Sequence, residues 1–186
     1  MMMGPDPLAR RRQENIAGYV IAMWHLEDLL RAHHFDPEAV EELLVAPMTA
    51  NEDTRRELRH WYLDLIARMQ AEGVEDGGHL SEVQEVVDEM EFLHESLLEN
   101  EVDSAYTTLY TLAADDITAL QRTQGKRAAG PITTCLTGIY GVMLLRAKGT
   151  AVGEATTQAE ARMRRLLDAL SAHYKNLRRL PGVSLN

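Results

Sequence analysis

Apolar residues recur along this chain at spacings of three and four, broken by short stretches rich in Gly, Pro and Asp. That periodicity predicts a run of amphipathic helices, each with one face turned to a core. The first is predicted from about Leu8 to His33, stopping before Phe35-Asp36-Pro37. Asp36 then caps a short second helix with Pro37 at its first position and Glu38 in the first turn. An Asp oxygen satisfies a free first-turn amide, and proline gives up no donor that the helix needs there. The second helix carries Val40, Leu43 and Leu44 and ends near Ala46-Pro47. Asn51 or Thr49 caps the third, which runs to about Gly73 on the stripe Leu58, Trp61, Tyr62, Leu65, Ile66 and Met69. After Gly77-Gly78 comes the fourth, with Val83, Val86, Val87, Met90, Leu93, His94 and Leu97 on one face. The fifth begins around Val102 and shows Tyr106, Leu109, Tyr110, Ala113, Ile117 and Leu120. Gly125 to Pro131 is the clearest linker, Pro131 opens the sixth, and Lys148-Gly149 closes it. The seventh starts near Gly153 and carries Met163, Leu166, Leu167, Leu170, Tyr174 and Leu177.

The sixth helix differs from the rest. Ile132 to Leu145 holds no charge and is apolar or small on every side, the mark of a helix surrounded by others. Gly138 and Gly141, with Thr134 one turn earlier, invite close approach of neighbouring backbones, which offsets the roughly 1 kcal/mol that each glycine costs a helix. The expectation is an all-α fold: a compact single-domain bundle of six or seven helices with a buried central helix at about 132–148 and loose tails at 1–10 and 179–186. Short loops favour antiparallel neighbours. Ala, Leu, Glu and Arg dominate, and no Asn-Gly or Asp-Gly separates alternating apolar runs, so nothing signals a strand.

Composition narrows the classes of function. The 186 residues carry a formal net charge of −10 and a sequence pI of about 5.1. The one dense basic cluster is Arg10 to Arg12 near the N-terminus. Nucleic-acid binding needs a basic stripe to neutralise phosphates, so neither nucleic acid nor an anionic membrane surface is expected as a partner. The longest charge-free run, Ala128 to Leu145, falls short of the roughly 20 apolar residues that span a bilayer. A single cysteine, Cys135, rules out an intrachain disulfide. With no signal-peptide core in Met1 to Arg12, a cytoplasmic location is expected.

Several segments resemble one family. They are Asn15-Ile16-Ala17, the run Met23-Trp24-His25-Leu26-Glu27-Asp28-Leu29-Leu30-Arg31-Ala32, Trp61-Tyr62 and Gly78-His79-Leu80. Leu93-His94 with Leu97-Leu98, and Thr134-Cys135-Leu136 followed by Tyr140-Gly141 and Leu144-Leu145-Arg146, belong with them. The resemblance is to helical bacterial proteins, mostly from Bacteroidetes, catalogued as domain of unknown function forty-nine twenty-four, and it extends from about Asn15 to Tyr174. It implies an all-α fold and a bacterial origin, and it brings no activity with it.

Candidate chemistry comes from polar groups whose helical phase, at about 100° per residue, turns them inward. Glu27 shares a face with Ile16, Val20, Met23 and Leu30. His94 lies between Met90 and Leu97, Glu91 stands at the edge of that stripe, and Arg146 lines up with Cys135, Ile139 and Val142. Unpaired burial of such groups costs several kcal/mol. Glu27, His94 and Arg146 are therefore expected to meet in one buried or half-buried cluster, either a structural ion pair or the polar floor of a small-molecule pocket. Glu57 with His60 and Glu91 with His94 have the Glu-x-x-His spacing of di-iron bundles, but Glu57 and His60 share the polar side of their helix with Asp64. Glu82, Glu85 and Asp88 have the spacing of the Mg²⁺-binding acids in all-α pyrophosphohydrolases, yet Glu82, Glu85 and Glu89 face away from Val83 and Val87. No metal and no cofactor is expected. His79, at the start of its helix, caps or packs, and Cys135 reads as an inert core thiol.

No residue pattern specifies a reaction. The expected function is non-catalytic, through self-association or protein–protein contacts, with Phe92 opposite its helix's apolar stripe as the motive for a homo-oligomer. The alternative is a small-molecule-binding or metal-dependent enzyme with a polar pocket around Glu27, His94 and Arg146.

Overall fold

A computed structural model describes residues 6–100, 103–124 and 129–178. The described residues are helical throughout their regular structure. The helices are α1 (Ala9–Glu14), α2 (Ile16–Ala32), α3 (Pro37–Val40), α4 (Glu52–Ala71), α5 (Ser81–Glu99), α6 (Ser104–Gln124), α7 (Pro131–Ala147) and α8 (Glu154–Arg178). The expected tail at 179–186, residues 1–5 of the other tail, Val102 and most of the 125–131 linker lie outside the described residues. Within 6–10, Asp6 accepts the Leu8 amide at 2.8 Å ahead of α1.

Local signals set most boundaries. Asp36 Oδ1 accepts the Glu38 amide at 3.0 Å with Pro37 behind it, as expected of an N-cap. Beyond Val40 the helix widens into a π turn, Glu41–Val45, before ending. Asn51 is the cap of α4, accepting the Thr54 amide at 3.0 Å, while Thr49 in turn accepts the Asn51 amide at 3.1 Å. Gly149 at φ 71 ends α7, with the Thr150 amide bonded to the Leu145 carbonyl at 2.9 Å, the left-handed closure that glycine permits.

The single first helix of the sequence reading is two. The chain leaves helical geometry at Asn15, where the Ser171 hydroxyl donates to Asn15 Oδ1 and accepts the Ala17 amide, both at 3.3 Å. A serine 154 residues from Ala17 supplies the acceptor that a continuous helix would have given.

Two compact units make up the described chain. Gly18–Glu85 forms the body of the first, where α4 packs against α3 and the π turn. Its buried side chains include Val20, Met23, Leu30, Val45, Leu65 and Met69. The second takes in Glu14–Ala17 and the chain from Val86 onward, and in it α6, α7 and α8 pack against one another. All seven residues expected on the inner face of α5 are buried, as are Met163, Leu166, Leu167, Leu170 and Tyr174 on α8.

The expected central helix, α7, is buried on one side as far as Val142 and exposed at its end. Ile132, Thr134, Cys135, Leu136 and Ile139 are buried, whereas Leu145 is 42% exposed and Arg146 and Ala147 also face solvent. The two glycines part company. A Cβ on Gly138 would lie 2.9 Å from Leu120 Cδ2 and 3.3 Å from Met163 Sδ, while one on Gly141 would meet nothing within 4 Å. Gly138 admits a close neighbour, as expected. Gly141 leaves open space instead.

Candidate functional site

The four polar residues singled out by helical phase have separate partners, so the expected single cluster needs correcting. Glu27, fully buried on α2, accepts the Leu80 amide at 3.0 Å through Oε1. Its Oε2 lies 2.6 Å from His79 Nδ1. The His79 ring stacks on Trp24 at a centroid distance of 4.6 Å. Nearby, Glu72 accepts the Ser81 amide at 2.7 Å, and Arg31 grips the Val74 and Gly78 carbonyls. Two carboxylates thus receive the Ser81 amide that opens α5 and the Leu80 amide just before it, where the helix dipole favours negative charge. Glu27 is the buried half of this cap.

His94, 2% exposed on α5, places Nδ1 2.6 Å from the Tyr106 hydroxyl on α6. The edge of its ring meets Tyr110 at 4.7 Å. Burial pushes the imidazole down to about 4 and the Tyr106 phenol well above its usual range. Both groups are therefore neutral near pH 7, and their hydrogen bond satisfies two polar groups inside an apolar layer.

Glu91, also on α5, reaches the N-terminus of α7. It accepts the Thr133 amide at 2.7 Å, the Thr133 hydroxyl at 2.8 Å and the Ile132 amide at 3.2 Å. It does for α7 what Glu27 does for α5. The absence of a side chain at Gly130 is part of the arrangement, because a Cβ there would fall 2.4 Å from Glu91 Oε1.

Arg146 is not buried. Its side chain is 48% exposed, because it stands on the last turn of α7, beyond the stretch that neighbouring helices cover. It forks onto Glu160 of α8, with contacts of 3.0 and 2.6 Å. Arg164, one turn further along α8, bonds the same carboxylate at 2.7 Å. Glu160 is only 7% exposed; burial penalises its charge, but the two guanidiniums outweigh that and hold the carboxyl below its ordinary range. Sequence reasoning missed Glu160, although it lies three residues before Met163 and seven before Leu167 on the buried stripe of α8.

The Arg146–Glu160 pair borders a groove of about 510 Å³ between α6, α7 and α8. Leu120 of α6, Gly138, Gly141 and Leu145 of α7, and Ala159 and Met163 of α8 line it, with Thr123, Thr137 and Thr156 among the few hydroxyls. Asp116 also lines it, bonded in fork geometry by Arg162 at 2.6 and 3.0 Å. The volume falls within the range of small-molecule sites, and apolar walls with a few fixed polar groups are their usual chemistry. Small residues make the room, above all Gly141.

Other candidates resolve into structural roles. Cys135 is fully buried and its thiol is pushed up to about 12, mainly by burial, so it is protonated. Glu57 and His60 are exposed on α4, away from its buried face. Glu82 pairs with Arg68 at 2.6 Å, and Glu89 accepts the Tyr174 hydroxyl, so that acidic face is partly tied down rather than wholly solvated. Among the described residues, no three His, Cys, Asp or Glu side chains converge as a metal site requires. None of the described helices is long and apolar enough to cross a membrane.

Neither the curated proteins nor the solved structures contain a match to this chain. A family model does match, over residues 8–180, which is nearly the whole sequence and takes in the eight α-helices of the described residues. The chain belongs to the family described as Domain of unknown function (DUF4924).

Proposed function

We propose that this chain is a non-catalytic binding protein that holds a small apolar molecule in the groove between α6, α7 and α8. The observation that carries the reading is the open space over Gly141, in a groove of about 510 Å³ walled by Leu, Ala, Met and Gly. A helix of this length gains from alanine at such a position, so keeping the space open has a cost that ligand binding would explain. Catalysis is not favoured by the polar groups. His94 and Tyr106 are buried and bonded to each other, and the Glu27 and Glu91 carboxylates are engaged by helix-end amides. A bacterial origin and a cytoplasmic location belong to the proposal and agree with the resemblance and composition described above.

The test is a neutral solvatochromic dye, Nile red, titrated with the protein and with Gly141→Leu, which fills the groove from its floor. A blue-shifted emission with the unaltered protein that Gly141→Leu abolishes is the expected result. Equal emission from the two proteins overturns the reading.

A second reading, self-association, is favoured by Phe92 and Leu112, which are 66% and 57% exposed on α5 and α6. Single exposed apolar side chains are ordinary on monomers, so it ranks below the groove. Light scattering at tens of micromolar decides it: a dimer mass that Phe92→Ser reduces to monomer supports it, and a monomer throughout refutes it.

A further inference from the structure

We infer that the molecule taken up by the groove carries an anionic head, a carboxylate on a medium-length aliphatic chain, and that Arg146 and Arg164 recognise the head. This inference rests on the groove reading above and adds the chemical class of the ligand.

Charge at one edge of the groove points to it. Arg146 and Arg164 both bond the single carboxylate of Glu160, so two cations share one anion and one positive charge is left over. The Glu160 carboxylate is almost wholly buried, whereas the two arginine side chains are 48% and 52% exposed. Their outer N–H groups therefore face water and are free to donate to a second anion. A guanidinium carries five donors in a planar fork suited to carboxylate, and the contacts to Glu160 use only part of each. The other charged pair on the groove, Asp116 with Arg162, is a one-to-one fork and contributes no net charge.

The geometry of the groove fits the body of such a ligand. Its α7 wall runs from Thr137 to Leu145, about 12 Å at the rise of an α-helix, and ends one residue before Arg146. Glu160 and Leu145 both line it, and the two arginines stand behind Glu160 at this edge, bonded to its carboxylate rather than lining the floor themselves. Glu160 acts here as a positioning residue. It holds two like-charged guanidiniums together that would otherwise repel, and it fixes their orientation. A neutral amphiphile would gain from the floor alone, and a cationic one would meet like charge at the edge.

The experiment is isothermal titration calorimetry of the full chain with decanoate and decylamine below their micelle concentrations and decanol below its solubility limit, repeated with Arg146→Gln and Gly141→Leu. Decanoate is expected to bind at least about tenfold more tightly than decanol, the size of one charge-assisted hydrogen bond, and decylamine more weakly than either. Arg146→Gln should bring decanoate down to the level of decanol while leaving decanol unchanged. High salt should narrow the difference in the same direction. Decanoate and decanol binding equally to the unaltered protein, with both lost in Gly141→Leu, overturns the anionic head and leaves the groove standing. Failure of all three probes to bind overturns the groove and this inference together.

Discussion

The buried carboxylate of Glu27 offers the most decisive perturbation of the fold. It has no exposure to solvent and two partners, the Leu80 amide at 3.0 Å and His79 Nδ1 at 2.6 Å. Glu27→Ala leaves the Leu80 amide without its acceptor, which costs about 1–3 kcal/mol, and removes a hydrogen bond to a charged group worth about 1.5–3 kcal/mol. The two overlap, because both reflect one side chain, so the expected loss is about 3–5 kcal/mol, the scale for breaking a buried polar pair. Both tryptophans of the chain, Trp24 and Trp61, lie in the first unit with Glu27, so their fluorescence follows unfolding of that unit in urea. The midpoint should fall with the slope unchanged. A double-mutant cycle with His79→Ala should return about 1.5–3 kcal/mol of coupling, and because His79 stacks on Trp24, either variant should also alter the native emission. A loss below about 0.5 kcal/mol in Glu27→Ala, or additive single variants, would refute the assignment of Glu27 as the cap that holds the start of α5.

Three further outcomes follow from the second unit. Glu91→Ala should destabilise by about 1–2 kcal/mol through the lost cap on α7. Gly130→Ala, whose Cβ would displace the same carboxylate, should cost a similar amount, and the double variant should cost no more than either alone. In thermal melts Gly141→Ala, with nothing within 4 Å, should raise stability by about 1 kcal/mol, and Gly138→Ala should fall short of that gain because Leu120 Cδ2 and Met163 Sδ must give way. His94, held at about 4 in the folded chain against 6.5 ordinarily, binds its proton less readily folded than unfolded. Stability should therefore be full above pH 6.5 and should fall by about 3 kcal/mol as pH drops from 6.5 to 4. His94→Gln, compared with the unaltered chain across a pH series, should flatten that slope.

Helical phase proved a good guide to which side chains turn inward and a poor one to their partners. The inner face of α5 was legible in full because Val83 through Leu97 keeps an uninterrupted spacing of three and four. Glu27 and His94 were legible as buried for the same reason. Their partners were not. A helix's phase fixes an angle about its own axis, whereas Glu27 bonds His79 and a backbone amide in the segment leading into α5, and His94 bonds a tyrosine on α6. Arg146 shows a further limit: its phase matches Cys135, Ile139 and Val142, but it stands on the last turn of α7, where Leu145 and Ala147 are exposed as well. The break at Asn15 depends on a serine in α8, a contact that no local pattern encodes. Gly141 looked like a packing residue beside Gly138, and only the position of the neighbouring helices separates the one that is filled from the one that is open.

Amide NMR shifts recorded while decanol is added test the apolar groove most directly, since a neutral alcohol reports on the floor without help from charge. Changes concentrated at Leu120, Gly138, Gly141, Ala159 and Met163, and absent from Gly141→Leu, are what a binding groove predicts. Shifts scattered over the surface, gathered around Phe92, or unchanged by filling the position at Gly141 would contradict it.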